Sequence, residues 1–234
     1  MKTETRNGRW YERYERNIGA LTREEQKVLE TKRAAIVGCG GLGCYAAEFL
    51  ARMGLGHITV IDGDVYAVSN LNRQLYSLEA TIGQSKAQEA KKRLLQVRAD
   101  MSAEAVDVFI DEENAGEFLK NHDVIIDALD NVKTRLLLER TAKKLGIVLV
   151  HGAVREWSAQ ICTVYPGDSI LSMLYPPDHE FNKPSVLPFT PAFCAAIEAC
   201  EAVKVLLNKD NVLRRRLLTV DLRNYAFDII ELDN

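Results

Sequence analysis

The segment Gly38-Cys39-Gly40-Gly41-Leu42-Gly43 places glycines at the G-x-G-x-x-G spacing. Glycines there let the chain turn tightly and bring backbone N–H groups against a phosphate. A helix opening directly behind them adds free N–H groups and a positive dipole end. Asp62 ends the next apolar run, where an acid bonds ribose hydroxyls. The motif alone does not choose a nucleotide, and a dinucleotide such as NAD is the default.

The residues that follow argue against that default. Asp62-Gly63-Asp64 leads into Ser69-Asn70-Leu71-Asn72-Arg73-Gln74, and Lys86 comes shortly after. Arg73 offers a planar fork of donors suited to phosphate. Lys86 opens a helix, so its charge adds to that helix dipole. Either cation alone reads as a surface residue. Beside the glycine loop, they neutralise a triphosphate better than the pyrophosphate of a dinucleotide requires. The candidate nucleotide-binding residues are Gly38, Gly40, Gly41, Gly43, Asp62, Asp64, Asn70, Arg73, Gln74 and Lys86. Asp127-Ala128-Leu129-Asp130-Asn131 ends a further apolar run. Mg²⁺ is commonly held by one or two carboxylates together with phosphate oxygens. Asp130 is the chosen ligand; on spacing alone Asp127 serves equally, as the ligand or as the cap of the next helix.

These residues need a scaffold of alternating strands and helices. Thr22-Arg23-Glu24-Glu25 reads as a capping box opening a helix to about Lys32. Strands are expected at 34–37, 57–61, 105–109, 124–127 and 147–150. Helices are expected at 42–53, 112–120 and 133–145, and from a second capping box at Ser85 to about Ala99. The alternation predicts a Rossmann-like, doubly wound, mainly parallel α/β sheet. Ligands in such sheets lie beyond the carboxyl ends of the strands, where the residues above fall. All six prolines lie between Pro166 and Pro191, a stretch too proline-rich for regular structure and read as a crossover or lid loop. A helix at 192–208 follows, then strands at 217–220 and 225–230 that extend the sheet as an antiparallel hairpin. The chain therefore reads as one nucleotide-binding domain, 1–234. It has a helical arm at 1–32, a core at 33–150, the crossover at 166–191 and a C-terminal helix and strands at 192–234.

Composition sets broad limits. The 234 residues are 47% hydrophobic and 27% charged, which suits a folded core. A net charge of −3 does not mark a nucleic-acid binder, and Arg214-Arg215-Arg216 reads as a solvated helix end. No stretch suggests a membrane span, and the charged N-terminus lacks a signal-peptide apolar region. The five cysteines, with no C-x-x-C pair, suit reduced thiols in a cytoplasmic protein.

The motifs together resemble the ThiF/MoeB/HesA family, bacterial relatives of ubiquitin-activating enzymes. The matching segments are Arg13-Tyr14-Glu15-Arg16, Gly38 to Gly43, Asp62-Gly63-Asp64, Ser69 to Gln74, Gly83-Gln84-Ser85-Lys86, Asp127 to Asn131 and His151-Gly152-Ala153. The resemblance implies a homodimer binding Mg·ATP, with Asp62 on the ribose and Arg73 and Lys86 on the phosphates. Asn70 and Gln74 would support the pocket, and Asp130 would hold the metal. It implies that Arg16 reaches into the neighbouring subunit's site, so that Asp130, Arg73 and Arg16 are the catalytic set. The implied reaction is attack of a carboxylate on the α-phosphorus of ATP with release of pyrophosphate. The implied substrate is the C-terminal glycine of a small ubiquitin-fold sulfur carrier, or another peptide C-terminus.

The sequence departs from many relatives in two places. No C-x-x-C pairs stand where they hold a structural zinc, so no zinc is expected. No cysteine lies in the stretch from Pro177 to Pro188 that matches the crossover loop. Cys194 and Cys200 read as core residues of the following helix, Cys39 and Cys44 as small packing residues, and His151 as a packing residue more than a ligand. Trp157 and Pro176-Pro177 are placed to line a groove for a substrate tail. The rival readings are activation of a threonylcarbamoyl-adenosine carboxylate in tRNA, a nonenzymatic partner subunit, and an NAD dehydrogenase.

Overall fold

Alternate residues of the first strand, Ala34 and Ile36 against Ala35 and Val37, belong to two hydrophobic cores on opposite sides of one sheet. A computed structural model describes residues 12–176 and 185–232. Its strands are β1 (Arg33–Val37), β2 (His57–Ile61), β3 (Ser102–Val106), β4 (Val124–Asp127), β5 (Val148–Arg155), β6 (Ser158–Val164), β7 (Arg216–Asp221) and β8 (Ala226–Glu231). They form a single eight-stranded sheet in the order β3-β2-β1-β4-β5-β6-β7-β8. Pairing is parallel from β3 to β5 and antiparallel from β5 to β8. This is the mainly parallel Rossmann-like sheet that the alternation predicts, extended by the antiparallel hairpin expected at 217–230. Chain order reverses between β1 and β4, the crevice where such sheets bind ligands.

The helices are α1 (Arg23–Thr31), α2 (Gly43–Met53), α3 (Lys86–Val97), α4 (Ala115–Leu119), α5 (Val132–Leu145), α6 (Ile170–Leu174) and α7 (Phe189–Leu206). On one face, Leu50 of α2, Leu94 of α3 and Ala199 of α7 pack over Ile36, Ile126 and Val150. On the other, Leu119 of α4, Leu138 of α5 and Leu171 of α6 pack over Ala35, Ile125 and Leu149. Strands covered on both faces read as unbroken apolar runs, which is why β1, β2 and β4 are visible in the sequence. The capping box at Thr22 and Glu25 closes in both directions, and Gly54 and Gly146 end α2 and α5 in the left-handed conformation. At Ser85 only half the box forms, its hydroxyl accepting from the Gln88 amide.

Several elements differ from expectation. The third strand is 102–106, not 105–109, because register is set by β2, whose last residue, Ile61, pairs with Val106. Beyond that point Phe109 is exposed and crosses Gly63, where a β-carbon would stand 2.7 Å from the Phe109 nitrogen. The helix expected at 112–120 starts only at Ala115, because the Asp111 carboxylate takes the Glu113 and Asn114 amides into a tight turn. The strand expected at 147–150 runs on to Arg155 and turns straight back as β6, which no sequence signal announced. Glu156 makes the turn with φ +52°, without the glycine or asparagine that marks such hairpins. The proline-rich stretch contains a short helix, α6, because Glu139 accepts the Leu171 and Ser172 amides at its start. The central part of the expected crossover, residues 177–184, lies outside the described residues, as do 1–11 of the expected arm.

Candidate active site

The glycine loop joins β1 to α2, and two of its glycines are fixed by close approach. A β-carbon on Gly43 would stand 1.7 Å from the Gly38 carbonyl oxygen, and one on Gly38 would stand 2.6 Å from the Ala128 carbonyl oxygen. Gly38 also has φ +97°, a conformation that disfavours a side chain. The loop is thus wedged against the end of β4, beside the 128–131 turn. Asp62 secures its other side. One carboxylate oxygen accepts the Cys39 amide at 2.6 Å and the other accepts the Asp64 amide at 2.8 Å. Burial pushes the Asp62 carboxyl above its usual range against the pull of those two amides.

Lys86, the first residue of α3, is buried, and its ammonium pairs with Asp64 at 2.9 Å. Its backbone amide donates to the Asp64 carbonyl, so the turn after β2 and the start of α3 are stitched together. Asn70 is buried and its side-chain oxygen accepts the Ala67 amide, shaping the turn at Val68–Asn70. That turn leads to Arg73, whose guanidinium donates to the Ser69 carbonyl at 2.8 Å and to the Asn72 side chain at 2.9 Å. Gln74 lies under Gly40: its amide nitrogen stands 3.5 Å from where a β-carbon there would sit. Its buried side-chain oxygen has no hydrogen-bond partner among the described residues. Buried polar groups are rarely left so, and an acceptor beside a glycine loop is suited to a nucleotide donor.

Asp130 is exposed in the turn that follows β4, whereas Asp127 is fully buried beneath it. The Asp127 carboxylate accepts the Leu129 amide at 3.2 Å and the His151 imidazole at 2.7 Å. The cap of α5 is Asn131, which accepts the Thr134 amide. The structure therefore brings Gly38 to Gly43, Asp62, Asp64, Asn70, Arg73, Gln74, Lys86 and Asp130 to one end of the sheet. Arg16 is not among them. It lies exposed in the turn Glu15–Asn17, beside Arg13, which bonds the Val97 carbonyl, and Tyr14, which packs on Gly54. Both contacts are at the amino ends of the strands, the far side of the sheet.

Four cysteines (Cys39, Cys44, Cys162 and Cys194) are buried, and burial pushes all four thiols up, Cys44 to about 12. Cys200, expected in the core, is exposed: it faces away from the Ala199 and Ala202 stripe that packs α7 on the sheet. Trp157 packs at 5.0 Å on Phe189 of α7. Arg135, Gln160, Tyr175 and Glu198 gather below the site. No motif carries them, and their only shared signal is polarity inside buried elements.

Similarity to known proteins agrees with this geometry. The ThiF family profile matches residues 14–234. The chain belongs to the ThiF family. It is 34% identical over 230 residues to the SAMP-activating enzyme E1 of Haloferax volcanii, covering 94% of this chain and 84% of that one. It is 32% identical over 217 residues to the molybdopterin-synthase adenylyltransferase of Haemophilus influenzae, covering 89% of each. It spans about half the length of the longer curated relatives it matches. Among solved structures, E. coli MccB superposes with a TM-score of 0.82 at 20% identity, over 94% of this chain and 69% of that one. The ThiF family is one of ATP-binding adenylyltransferases, and this ThiF-family chain is an adenylyltransferase-type enzyme. No helix among its described residues is long and apolar enough to cross a membrane.

Proposed function

We propose that this ThiF-family protein uses Mg·ATP to adenylylate the C-terminal glycine carboxylate of a small ubiquitin-fold sulfur carrier. The observation that carries the reading is the meeting of three strand ends: the glycine loop after β1, Arg73 and Lys86 after β2, and exposed Asp130 after β4. The relatives of similar length are named for activating SAMP and for adenylylating molybdopterin synthase, which favours a protein substrate.

The residues present fit a triphosphate and a magnesium ion. The loop amides, the α2 amino end, Arg73 and Lys86 supply positive charge, and Gln74 supplies an unused acceptor. Asp130 would hold Mg²⁺ jointly with phosphate oxygens, since it is exposed in its turn whereas Asp127 is fully buried beneath it. Asp62 would turn a carboxylate oxygen to the ribose. A carboxylate oxygen of the substrate attacks the α-phosphorus, the bond to the bridging oxygen breaks, and pyrophosphate leaves. The attacking carboxylate is already ionised near pH 7, so the site needs no general base. Its work is alignment and charge neutralisation. Arg16 lies beside residues anchored at the amino ends of the strands, away from its own chain's site, and in a homodimer it would complete the site of the partner subunit.

Asp130→Ala tests the reading. Pyrophosphate exchange into ATP should fall by at least about 10²-fold, the cost typical of removing a group that stabilises developing charge. Full exchange in that variant would sink the assignment.

A further inference from the structure

Beneath the 128–131 turn lies a closed chain of buried and half-buried polar groups that the proposed reaction does not use. His151, buried at the end of β5, bridges the Asp127 carboxylate at 2.7 Å and the Tyr175 hydroxyl at 3.0 Å. Arg135 of α5 and Gln160 of β6 donate to the same hydroxyl at 2.9 and 2.6 Å. One arrangement of protons satisfies all four contacts with the imidazole and the phenol both neutral. Arg135 and the Gln160 amide nitrogen can only donate, so the Tyr175 hydroxyl must give its own proton to His151 Nε2. His151 Nδ1 then carries the proton it donates to Asp127, and burial, which holds the imidazole neutral, agrees.

The other arm of Arg135 shows what this chain holds in place. Its second terminal nitrogen donates to the Leu129 carbonyl at 2.5 Å. The Leu129 amide is itself bound by Asp127. Both backbone polar groups of the residue just before Asp130 are thus pinned by side chains. The residue just after, Asn131, is pinned as the cap of α5. Asp130 is exposed, yet it is suspended between two fixed neighbours. A guanidinium fork is suited to span two acceptors set apart in one plane, here the Tyr175 hydroxyl and the Leu129 carbonyl, and a lysine is not.

We propose that Arg135 is a positioning residue for the metal-bound nucleotide: held by Tyr175, it sets the Leu129 carbonyl and so the direction in which Asp130 presents its carboxylate. The inference rests on the reading of Asp130 as the Mg²⁺ ligand. The outer partners of a metal ligand commonly carry about 10- to 100-fold of metal affinity, although they never touch the ion.

The test is ATP affinity, measured by equilibrium titration with Mg²⁺ and again in EDTA, on wild type, Asp130→Ala and Arg135→Lys. The gain in affinity that Mg²⁺ confers should fall in Arg135→Lys by about tenfold or more while affinity in EDTA is unchanged. A merely structural role would lower thermal stability or both affinities together and leave the gain intact. Should Arg135→Lys not fold, the double variant Asp127→Asn with Arg135→Gln removes both buried charges together and the pin on Leu129, and the same loss is expected. An undiminished gain in a folded Arg135 variant, with Asp130→Ala showing the loss, overturns this inference and leaves the reading of Asp130 standing. An undiminished gain in Asp130→Ala overturns both.

Discussion

A β-carbon on Gly152 would stand 2.5 Å from the carboxyl carbon of Glu198. β5 and α7 therefore meet here with only the Glu198 side chain between them, and Glu198 is sealed in, fully buried. Gly152→Ala should cost about 1–3 kcal/mol by overpacking. Glu198→Ala should relieve that cost, so urea unfolding of both singles and the double should show strong coupling; additive losses would mean the two residues do not compete for this space.

The same carboxyl should govern pH dependence. Both Glu198 oxygens lack a hydrogen-bond partner among the described residues, and burial, reinforced by the nearby Asp127 charge, pushes the carboxyl well above its ordinary value of 4.5. In the unfolded chain it ionises near the ordinary value. Above that pH the unfolded state binds fewer protons than the folded one, so stability falls as pH rises, until the folded carboxyl also ionises. Glu198→Gln should remove this slope and be more stable than wild type at pH 8. Parallel stability curves for the two proteins between pH 5 and 8 would contradict the account.

Lys86 and Asp64 are asymmetric partners. The Lys86 side chain is 8% exposed and that of Asp64 is 56% exposed. Asp64→Asn strands a buried ammonium and should cost about 1–2 kcal/mol, a figure discounted for the exposure of the carboxylate. Lys86→Met leaves an exposed carboxylate and should cost less. For ATP affinity the order should reverse, with Lys86→Met the weaker binder. Thermal melts and ATP titrations on the two variants separate these effects.

Arg16 provides a test of assembly. In the proposed homodimer each site takes Arg16 from the partner subunit and Asp130 from its own chain. Arg16→Ala and Asp130→Ala should each be nearly inactive. Mixing them in equal amounts with subunit exchange should restore about a quarter of wild-type activity, through one good site in each mixed dimer. No recovery despite demonstrated exchange would place Arg16 elsewhere.

The parts of the fold legible in the sequence are those where one local rule decides. β1, β2 and β4 are buried on both faces and read as apolar runs; α1, α2 and α5 carry their caps in the letters Thr22, Gly54 and Gly146. β3 is not placed by its own residues, because its register is borrowed from β2. β6 is hidden in the sequence because its turn at Glu156 has an ordinary residue at positive φ. The nucleotide end of the site was legible because close approach dictates glycine at Gly38 and Gly43. The supporting layer of Arg135, His151, Tyr175 and Glu198 was not, because its members come from four separate elements and meet only when the sheet closes over them.

The central claim is carboxylate adenylylation, and the most direct measurement is ATP–pyrophosphate exchange by the purified protein against a panel of small ubiquitin-fold proteins ending in Gly-Gly. Exchange is expected with at least one carrier, lost when its terminal glycine is removed. Mg·ATP binding without exchange for any member of the panel would contradict it.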